Sequence, residues 1–148
     1  MIKAYLASGW FNENQMRVMN KVRDIILEFS QISLFSPYYD GVVLNAKEDS
    51  PEMRRKVFEI DVMGVVKSDL VIAIIDDFDV GAMIECGIAI GAGIPIIAYS
   101  DVSGRGLNVM LQQGAYFANG IDELREQLIR FSIGQSLKEL PFVKGDFK

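Results

Sequence analysis

Short apolar runs alternate along the chain with longer segments in which apolar and polar residues recur at helical spacing. Runs of this length, bounded by turn residues, are typical of buried strands. They predict strands at Ile2–Ala7, Ile32–Phe35, Leu70–Ile75, Ile96–Tyr99 and, shortest of all, Ala115–Phe117. The chain therefore alternates regularly between strand and helix.

The predicted helices are marked by apolar positions that share one face. The clearest is residues 14–29, whose apolar face carries Met16, Met19, Val22, Ile25, Ile26 and Phe29. A second helix opens at Pro51, after Ser50, and runs to about Lys67 with Val57, Ile60, Val65 and Val66 facing inward. A helix of small residues follows the third strand and ends at Gly93, and two further helices are expected at Leu107–Leu111 and Ile121–Phe131.

This alternation predicts a parallel sheet with helices on both faces. We expect a flavodoxin-like (Rossmann-like) α/β fold, a three-layer sandwich around a five-stranded parallel sheet, in one domain over residues 1–148. Residues 134–148 are expected to form a tail on the surface of this subunit or a neighbour. The stretch Tyr38–Ser50 shows the hydrophobic pattern of neither a helix nor a strand and is predicted to be an irregular loop. A loop of this length in a compact domain is often functional.

The net charge and composition of the chain limit the classes of partner that it could bind. The formal net charge of −5 argues against nucleic acid, because phosphate binding needs a basic face. No apolar run reaches the roughly 18 residues that span a bilayer, and the amino terminus reads as a strand without a signal-peptide core. The one cysteine, Cys86, excludes an internal disulfide. We therefore expect a cytoplasmic protein without a membrane or nucleic-acid partner.

The chain contains no histidine, which excludes histidine triads, histidine metal sites and histidine general bases. Catalysis would then depend on carboxylates, Tyr, Ser, Lys or Arg, and paired Asp and Glu are the first choice. The place to look is residues 70–99, where a strand leads into an acidic loop. In parallel α/β sheets, ligands bind where loops leave the carboxyl ends of strands.

Glu85 is the strongest candidate in this segment. It is an isolated carboxylate on an otherwise uncharged helix, which is costly if buried unless it is paired or functional. It lies about one turn into the helix, where the helix dipole is expected to keep it ionised, as suits a nucleophile. The competing interpretation is a structural hydrogen bond, since structural networks also hold buried charges.

Three aspartates, Asp76, Asp77 and Asp79, lie just before this helix, and a fourth lies in the preceding helix. Asp79, at the junction of loop and helix, is expected to be an N-cap and also a partner of Glu85, because two close carboxylates separate their pKa values into an acid and a base. Asp76 and Asp77 are interpreted as solvated loop residues. Asp61, in the preceding helix, would alone be interpreted as a surface charge.

Aromatic residues of the first strand and loop could complete the site. Tyr5 would approach Glu85 if the first and third strands are neighbours, although it could equally be a core aromatic. Trp10 and Phe11 follow a glycine in a loop, where aromatic rings commonly stack on planar ligands such as nucleobases. Cys86 has no histidine partner and is interpreted as packing.

The glycines of the central helix do not form a nucleotide-binding motif. Gly87, Gly91 and Gly93 lie within and at the end of the helix, with the wrong spacing for a dinucleotide fingerprint. We interpret them as allowing close helix–sheet packing. No Walker A pattern is present, so hydrolysis of nucleoside triphosphates is not indicated.

Four segments together resemble the nucleoside 2-deoxyribosyltransferases. They are YLASGWF at 5–11, Asp61 in its helix, DVGAMIECG at 79–87 and LNVM at 107–110. The resemblance extends from Tyr5 to about Gly114. It implies that Glu85 is the nucleophile that attacks C1′ of a 2′-deoxynucleoside and holds the deoxyribosyl group as an ester.

The same resemblance implies roles for the other motif residues. Asp79 and Asp61 would help to protonate the leaving base and activate the incoming one, with Tyr5 beside the nucleophile. The substrate-binding residues would be Gly9, Trp10, Phe11, Gly81, Asn108 and Met110, the last two lent by an adjacent subunit. The implied partners are 2′-deoxynucleosides and free purine or pyrimidine bases. The family needs no metal or organic cofactor and forms homo-oligomers, as dimer units or as tetramers or hexamers built from them.

Two departures leave alternatives open. The chain ends in GDFK, so Phe147 replaces a tyrosine that in the family often approaches the nucleophile. Ser103-Gly104-Arg105 resembles the phosphate-holding segment of the related deoxynucleoside-monophosphate N-glycosidases, which are hydrolases, although the Trp10-Phe11 loop and Asn108 favour the nucleoside enzymes. The third alternative is a nucleotide-binding module without turnover.

Overall fold

The computed structural model describes residues 1–103 and 106–139. In chain order the elements are β1 (Ile2–Ala7), α1 (Glu13–Leu27), β2 (Ile32–Phe35), α2 (Pro37–Asp40), α3 (Pro51–Val66), β3 (Leu70–Ile74), α4 (Val80–Gly91), β4 (Ile96–Ser100), α5 (Val109–Gly114), β5 (Tyr116–Asn119) and α6 (Ile121–Ser132). No helix within these residues is long and apolar enough to cross a membrane.

The strands form one parallel sheet in the order β2-β1-β3-β4-β5, which confirms the predicted flavodoxin-like fold. From β1 the chain passes outward to β2, and from β3 it passes outward in the other direction. The order therefore reverses between β1 and β3, where Tyr5 pairs with Val71 and Ala7 with Ala73. At such a switch point the loops after the two strands diverge and leave a crevice.

Two apolar layers cover the sheet. The first packs α1 and α6 against one face, and its fully buried members include Leu6, Met19, Ile72 and Leu128. The second packs α3, α4 and α5 against the other face and includes Tyr5, Val65 and Cys86. The alternation of strand side chains divides β1 between the layers, so that Leu6 faces α1 while Tyr5 faces α3 and α4.

Local sequence signals set the helix ends. Asn12, Ser50 and Asp79 each cap the helix that follows, with a side-chain oxygen accepting an N–H of the first turn. Gly93, at φ +71°, ends α4 in the left-handed conformation, and Ile94 then donates to the carbonyl of Ala89 as in a Schellman motif. These turns fix where the loops leave the carboxyl edge of the sheet.

Three details differ from the sequence prediction. The loop predicted over Tyr38–Ser50 begins inside a helical turn, α2. Val66, predicted to face inward, is 42% exposed. Gly87 and Gly91 do not pack against the sheet, since a Cβ at either position would meet nothing within 4 Å. A glycine in a helix gives no indication of which face it lies on, so its surroundings are decided by tertiary packing.

The first part of the predicted tail is anchored. Leu137 is buried in the α1–α6 layer, and the side chain of Gln127 both donates to the Lys138 carbonyl at 2.9 Å and accepts from its N–H at 2.8 Å. Residues 140–148, which include Phe147, lie outside the described residues.

Candidate active site

Glu85 lies on the inner side of α4, where it faces groups from three other elements. Tyr5 of β1, Asp61 of α3 and Asp79 before α4 are all close enough to influence its ionisation. The structure thus brings together the four residues that the sequence predicted to be catalytic. Their meeting depends on the β1–β3 pairing and on α3 and α4 sharing one face of the sheet.

The ionisation of Glu85 differs from the sequence prediction. The pKa of its carboxyl is raised from 4.5 to about 8, mainly by burial and in smaller part by the negative charges of Asp61 and Asp79, against a lowering by the Tyr5 hydroxyl. At neutral pH this raised pKa favours the protonated form, whereas the position on the helix had suggested an ionised Glu85. The helix dipole acts most strongly within the first turn, and Glu85 lies beyond that turn. Desolvation of the carboxylate therefore outweighs the dipole.

The Tyr5 hydroxyl is held where an ionised Glu85 could use it. The residue is fully buried and its ring stacks on Phe35 with the centroids 5.7 Å apart. Its buried oxygen makes no hydrogen bond of ordinary distance and angle, yet it faces Glu85 closely enough to favour the carboxylate form. Burial and the nearby charges of Glu85 and Asp61 raise the pKa of Tyr5 far above its usual value, so it stays a donor.

Asp61 is brought to the cluster by a close contact that the sequence analysis missed. A Cβ on Gly64, three residues along α3, would lie 2.8 Å from Cε2 of Tyr5 and 3.3 Å from Cδ1 of Phe35. Glycine therefore lets α3 approach the buried ring closely. Asp61 is half-buried as a result, and burial raises its pKa to about 6. An isolated glycine in a helical pattern was the available signal.

Replacing Gly64 by alanine should damage both stability and activity. The added methyl clashes with a ring that cannot move away, and overpacking of this kind costs about 1–3 kcal/mol. We expect a lower melting temperature and slower turnover, because Tyr5 and Asp61 are pushed apart. Met63→Ala, at an exposed neighbouring position, is the control and should change neither quantity appreciably. A Gly64→Ala protein as stable and active as the parent would show that this contact does not matter.

Asp79 both caps α4 and borders an open cleft. Its Oδ2 accepts from the N–H of Ala82 at 3.0 Å, as predicted for an N-cap. Gly81 leaves room for this carboxylate, since a Cβ there would lie 3.2 Å from the same oxygen. The cleft is also lined by Gly9, Gln15, Asp76 and Asp77. Some residues that line the cleft belong to α1. Asp79 lines the cleft and also belongs to the cluster around Glu85, so it connects the two.

Gln15 shapes the aromatic loop and was not found from the sequence. Its side chain accepts from the N–H of Phe11 at 2.8 Å, while its own N–H donates to Asn12 at 2.8 Å. A Cβ on Gly9 would lie 2.7 Å from the Gln15 oxygen, so a larger residue there would displace this side chain from its hydrogen bond with Phe11. The spacing of Asn12 and Gln15 is that of a capping box, which was the signal for this arrangement.

The two loop aromatics occupy different environments. Phe11 is 72% exposed. Trp10 is partly buried against the α1–α6 layer, with its ring centroid 5.9 Å from that of Tyr38 in α2 and 5.2 Å from that of Phe11. Trp10 is therefore a packed residue as well as a candidate ligand contact, whereas Phe11 presents a free face at the mouth of the loop.

Asp76 is not the solvated loop residue that was predicted. It accepts hydrogen bonds from the Ser100 hydroxyl and, at 2.9 Å, from the N–H of Asp101, and so ties the end of β3 to the end of β4. Asp77 is exposed at the cleft.

Asn108 and Met110 lie outside the Glu85 cluster within one chain. Asn108 caps α5, accepting from the N–H of Met110 at 2.9 Å, and Met110 is 69% exposed. In the segment that resembles a phosphate site, Ser103 is exposed, while Gly104 and Arg105 lie outside the described residues.

The family model described as nucleoside 2-deoxyribosyltransferase matches residues 4–120, a span that contains the whole carboxylate cluster. The chain belongs to this family. Its fold is accordingly that of a family of enzymes. The comparison with curated proteins found no match.

Solved structures of known proteins share the fold. A 2-deoxyribosyltransferase from the psychrotolerant bacterium Bacillus psychrosaccharolyticus has a TM-score of 0.82 at 25% identity, covering 94% of this chain and 99% of that chain. A conserved protein from Enterococcus faecalis V583 has a TM-score of 0.71 at 19% identity, covering 88% and 99%. A CMP N-glycosidase from Clostridium botulinum has a TM-score of 0.58 at 17% identity, covering 87% and 98%. The fold is thus shared with a 2-deoxyribosyltransferase and with a CMP N-glycosidase.

Proposed function

We propose that the protein is a nucleoside 2-deoxyribosyltransferase that exchanges the base of 2′-deoxynucleosides through a covalent deoxyribosyl–Glu85 intermediate. The observation that carries the proposal is the convergence of Tyr5, Asp61 and Asp79 on a half-buried Glu85 in a chain of this family. A carboxylate nucleophile with nearby acids is what double displacement at an anomeric carbon requires.

In the first step, a Glu85 oxygen forms a bond to C1′ as the glycosidic C–N bond breaks, and the electron pair of that bond leaves with the base. Glu85 carries a proton at neutral pH before the reaction, because burial raises the pKa of this carboxyl to about 8. That proton must leave Glu85 before the ester forms and must end on the departing base. Asp79 and Asp61 are the neighbours that we expect to carry it.

In the second step, a nitrogen of the incoming base attacks C1′ and the ester bond breaks. The proton displaced from that nitrogen returns to the carboxylates, which restores the starting state. The absence of a 2′-hydroxyl makes the oxocarbenium-like transition state easier to reach. The Tyr5 hydroxyl, which has no ordinary hydrogen bond, is suited to stabilise the carboxylate as it is released.

The deciding experiment is base exchange. The protein is incubated with deoxyinosine or thymidine and a free acceptor base, and the products are separated. We expect a new deoxynucleoside, together with a protein adduct whose mass increase is one deoxyribosyl group and which maps to the α4 peptide. Accumulation of free base without a new nucleoside would contradict transfer and favour hydrolysis.

A 2′-deoxynucleoside 5′-monophosphate N-glycosidase is the alternative, supported by the Ser103-Gly104-Arg105 segment. The charge of the site counts against it. Asp61, Asp77 and Asp79 lie around the site and the cleft, and their negative charges would repel a phosphate dianion. We expect 5′-monophosphates to be turned over no faster than nucleosides, and a clear preference for the phosphate form would reverse this choice.

Substrate binding without turnover would indicate the third possibility, a binding module. Trp10 is the one tryptophan in the chain, so its fluorescence reports ligand binding at the first loop directly. A fluorescence change on adding nucleoside, with no chemistry in any combination of substrates, would favour this interpretation.

We expect the protein to work in the reducing cytoplasm, where the buried Cys86 remains a thiol.

We further propose that the enzyme is a homo-oligomer assembled through α4 and its neighbours. Val80, Ile84, Gly87 and Gly91 recur at helical spacing along the outer face of α4, and Val80 and Ile84 are 73% and 56% exposed. The open space above the two glycines lets another backbone approach. Met110 is exposed in the same layer, consistent with its expected contribution, with Asn108, to a neighbour's site.

Ile84→Asp should therefore dissociate the assembly. Placing a charge in a buried apolar interface is costly, so the mass in solution, measured by light scattering or sedimentation, should fall toward that of one chain. Ile129→Asp is the matched control, since Ile129 is similarly exposed, at 51%, but lies on α6 in the opposite layer. Loss of assembly in both variants, or in neither, would contradict the proposed surface.

A further inference from the structure

The loop between β3 and α4 contains a backbone conformation that is costly for its residue type. Phe78 has a φ of +47°, in the left-handed region, and it is alone in this among the non-glycine residues of 1–103 and 106–139. Bulky L-amino acids rarely adopt this conformation, because Cβ comes too close to the backbone. Strain of this kind persists where the surroundings fix the backbone, and it is concentrated at functional sites.

Hydrogen bonds on both sides hold the Phe78 backbone in place. Its N–H donates to the carbonyl of Ile75 at 3.2 Å, which closes a tight turn. The next residue, Asp79, caps α4, its side chain accepting from Ala82 at 3.0 Å and its carbonyl from Met83 at 3.0 Å. Phe78 is therefore the residue that joins the hydrogen-bonded turn after β3 to the capped start of α4.

The chain needs such a link because the connection is short. β3 ends at Ile74 and α4 begins at Val80, so residues 75–79 must redirect the chain from strand to helix. An ordinary backbone at position 78 would carry the following residue in another direction. The Asp79 carboxylate would then lose its place at the helix start, from which it acts on Glu85.

We propose that Phe78 is a positioning residue, whose left-handed backbone holds the capping Asp79 carboxylate beside Glu85. The inference rests on the proposed function for the role of those two carboxylates. The ring is 42% exposed, so complete burial of the aromatic side chain is not what maintains the conformation. The backbone geometry, rather than the ring, is the feature that the site requires.

A substitution series separates backbone from ring. Phe78→Gly and Phe78→Asn remove the ring but accept the left-handed conformation, whereas Phe78→Leu and Phe78→Val are both apolar and differ in branching at Cβ. We expect kcat for base exchange to stay within about threefold of the parent for Gly, Asn and Leu, and to fall at least about tenfold for Val, because a β-branched residue tolerates this φ least. KM should change much less than kcat in every variant.

Hydrogen exchange gives a readout that does not depend on turnover. The amides of Ala82 and Met83 should exchange faster in Phe78→Val than in Phe78→Leu, because the cap is lost only in the former. Equal exchange and equal kcat in the Leu and Val proteins would overturn the proposal, and so would an equal loss of kcat in all four, which would assign the role to the ring. If the parent shows no base exchange, the proposed function fails, while the exchange rates still decide whether the kink holds the cap.

Discussion

Glu85→Ala is expected to reduce base exchange by at least about 10⁴-fold, the largest effect of any single substitution, since removal of a covalent nucleophile leaves only binding and electrostatic contributions. Neither neighbouring carboxylate is placed to replace it, because Asp79 caps α4 and Asp61 projects from a different helix. Ligand binding, followed through Trp10 fluorescence, should persist. The initial rate of formation of the new deoxynucleoside is the measurement.

A matched pair of variants makes this prediction sharper. Glu85→Ala leaves space for a small external carboxylate, whereas Glu85→Gln fills the site with a neutral side chain of the same size. Formate should therefore restore part of the turnover in the alanine protein and none in the glutamine protein. Appreciable exchange by both variants without formate would rule out Glu85 as the nucleophile.

Glu85→Gln is also expected to stabilise the protein, and to do so only at high pH. The pKa of Glu85 is raised by burial from 4.5 to about 8, so the folded state binds this proton more tightly than the unfolded state. The contribution of Glu85 to stability is then complete below about pH 4.5 and is lost as the pH rises to about 8. Glutamine never ionises. The variant should match the parent at pH 4.5 and exceed it by up to about 5 kcal/mol at pH 9.

Denaturant unfolding at a series of pH values tests this expectation. Glu59→Gln is a suitable control, since the Glu59 side chain is 59% exposed on α3 and paired with Arg55, and its substitution should give no gain that grows with pH. A Glu85→Gln protein that is less stable than the parent at pH 9 would mean that ionised Glu85 supports the fold, as the structural interpretation of this residue requires.

The positions of the elements were largely predictable because their signals are local. The strands were identified by continuous apolar runs, and α1 by apolar residues at helical spacing. The caps Asn12 and Asp79 form within three residues of the groups they bind, so the sequence contains the whole interaction. Strand order was predictable for a related reason, since regular β–α alternation admits few parallel arrangements.

The sequence was less informative about Gly64, Gln15 and Phe78. Gly64 matters because the ring of Tyr5, distant in the chain, lies against it, and a φ of +47° at a phenylalanine is the opposite of what residue preference predicts. Asp76 was misjudged for the same reason, because its partners, Ser100 and Asp101, follow the next strand. Contacts of this kind depend on which side chains the packed sheet brings together.

The sequence by itself determined the fold class, the family resemblance, and a site without histidine in which Glu85 is the outstanding carboxylate. Only the tertiary structure decided how that carboxylate behaves. Burial against Tyr5, with the charges of Asp61 and Asp79 nearby, favours its protonated form, where the helix position alone had suggested an ionised one. The physical reason is that a pKa depends on the solvent and the charges around a group, and these are set by packing between distant segments.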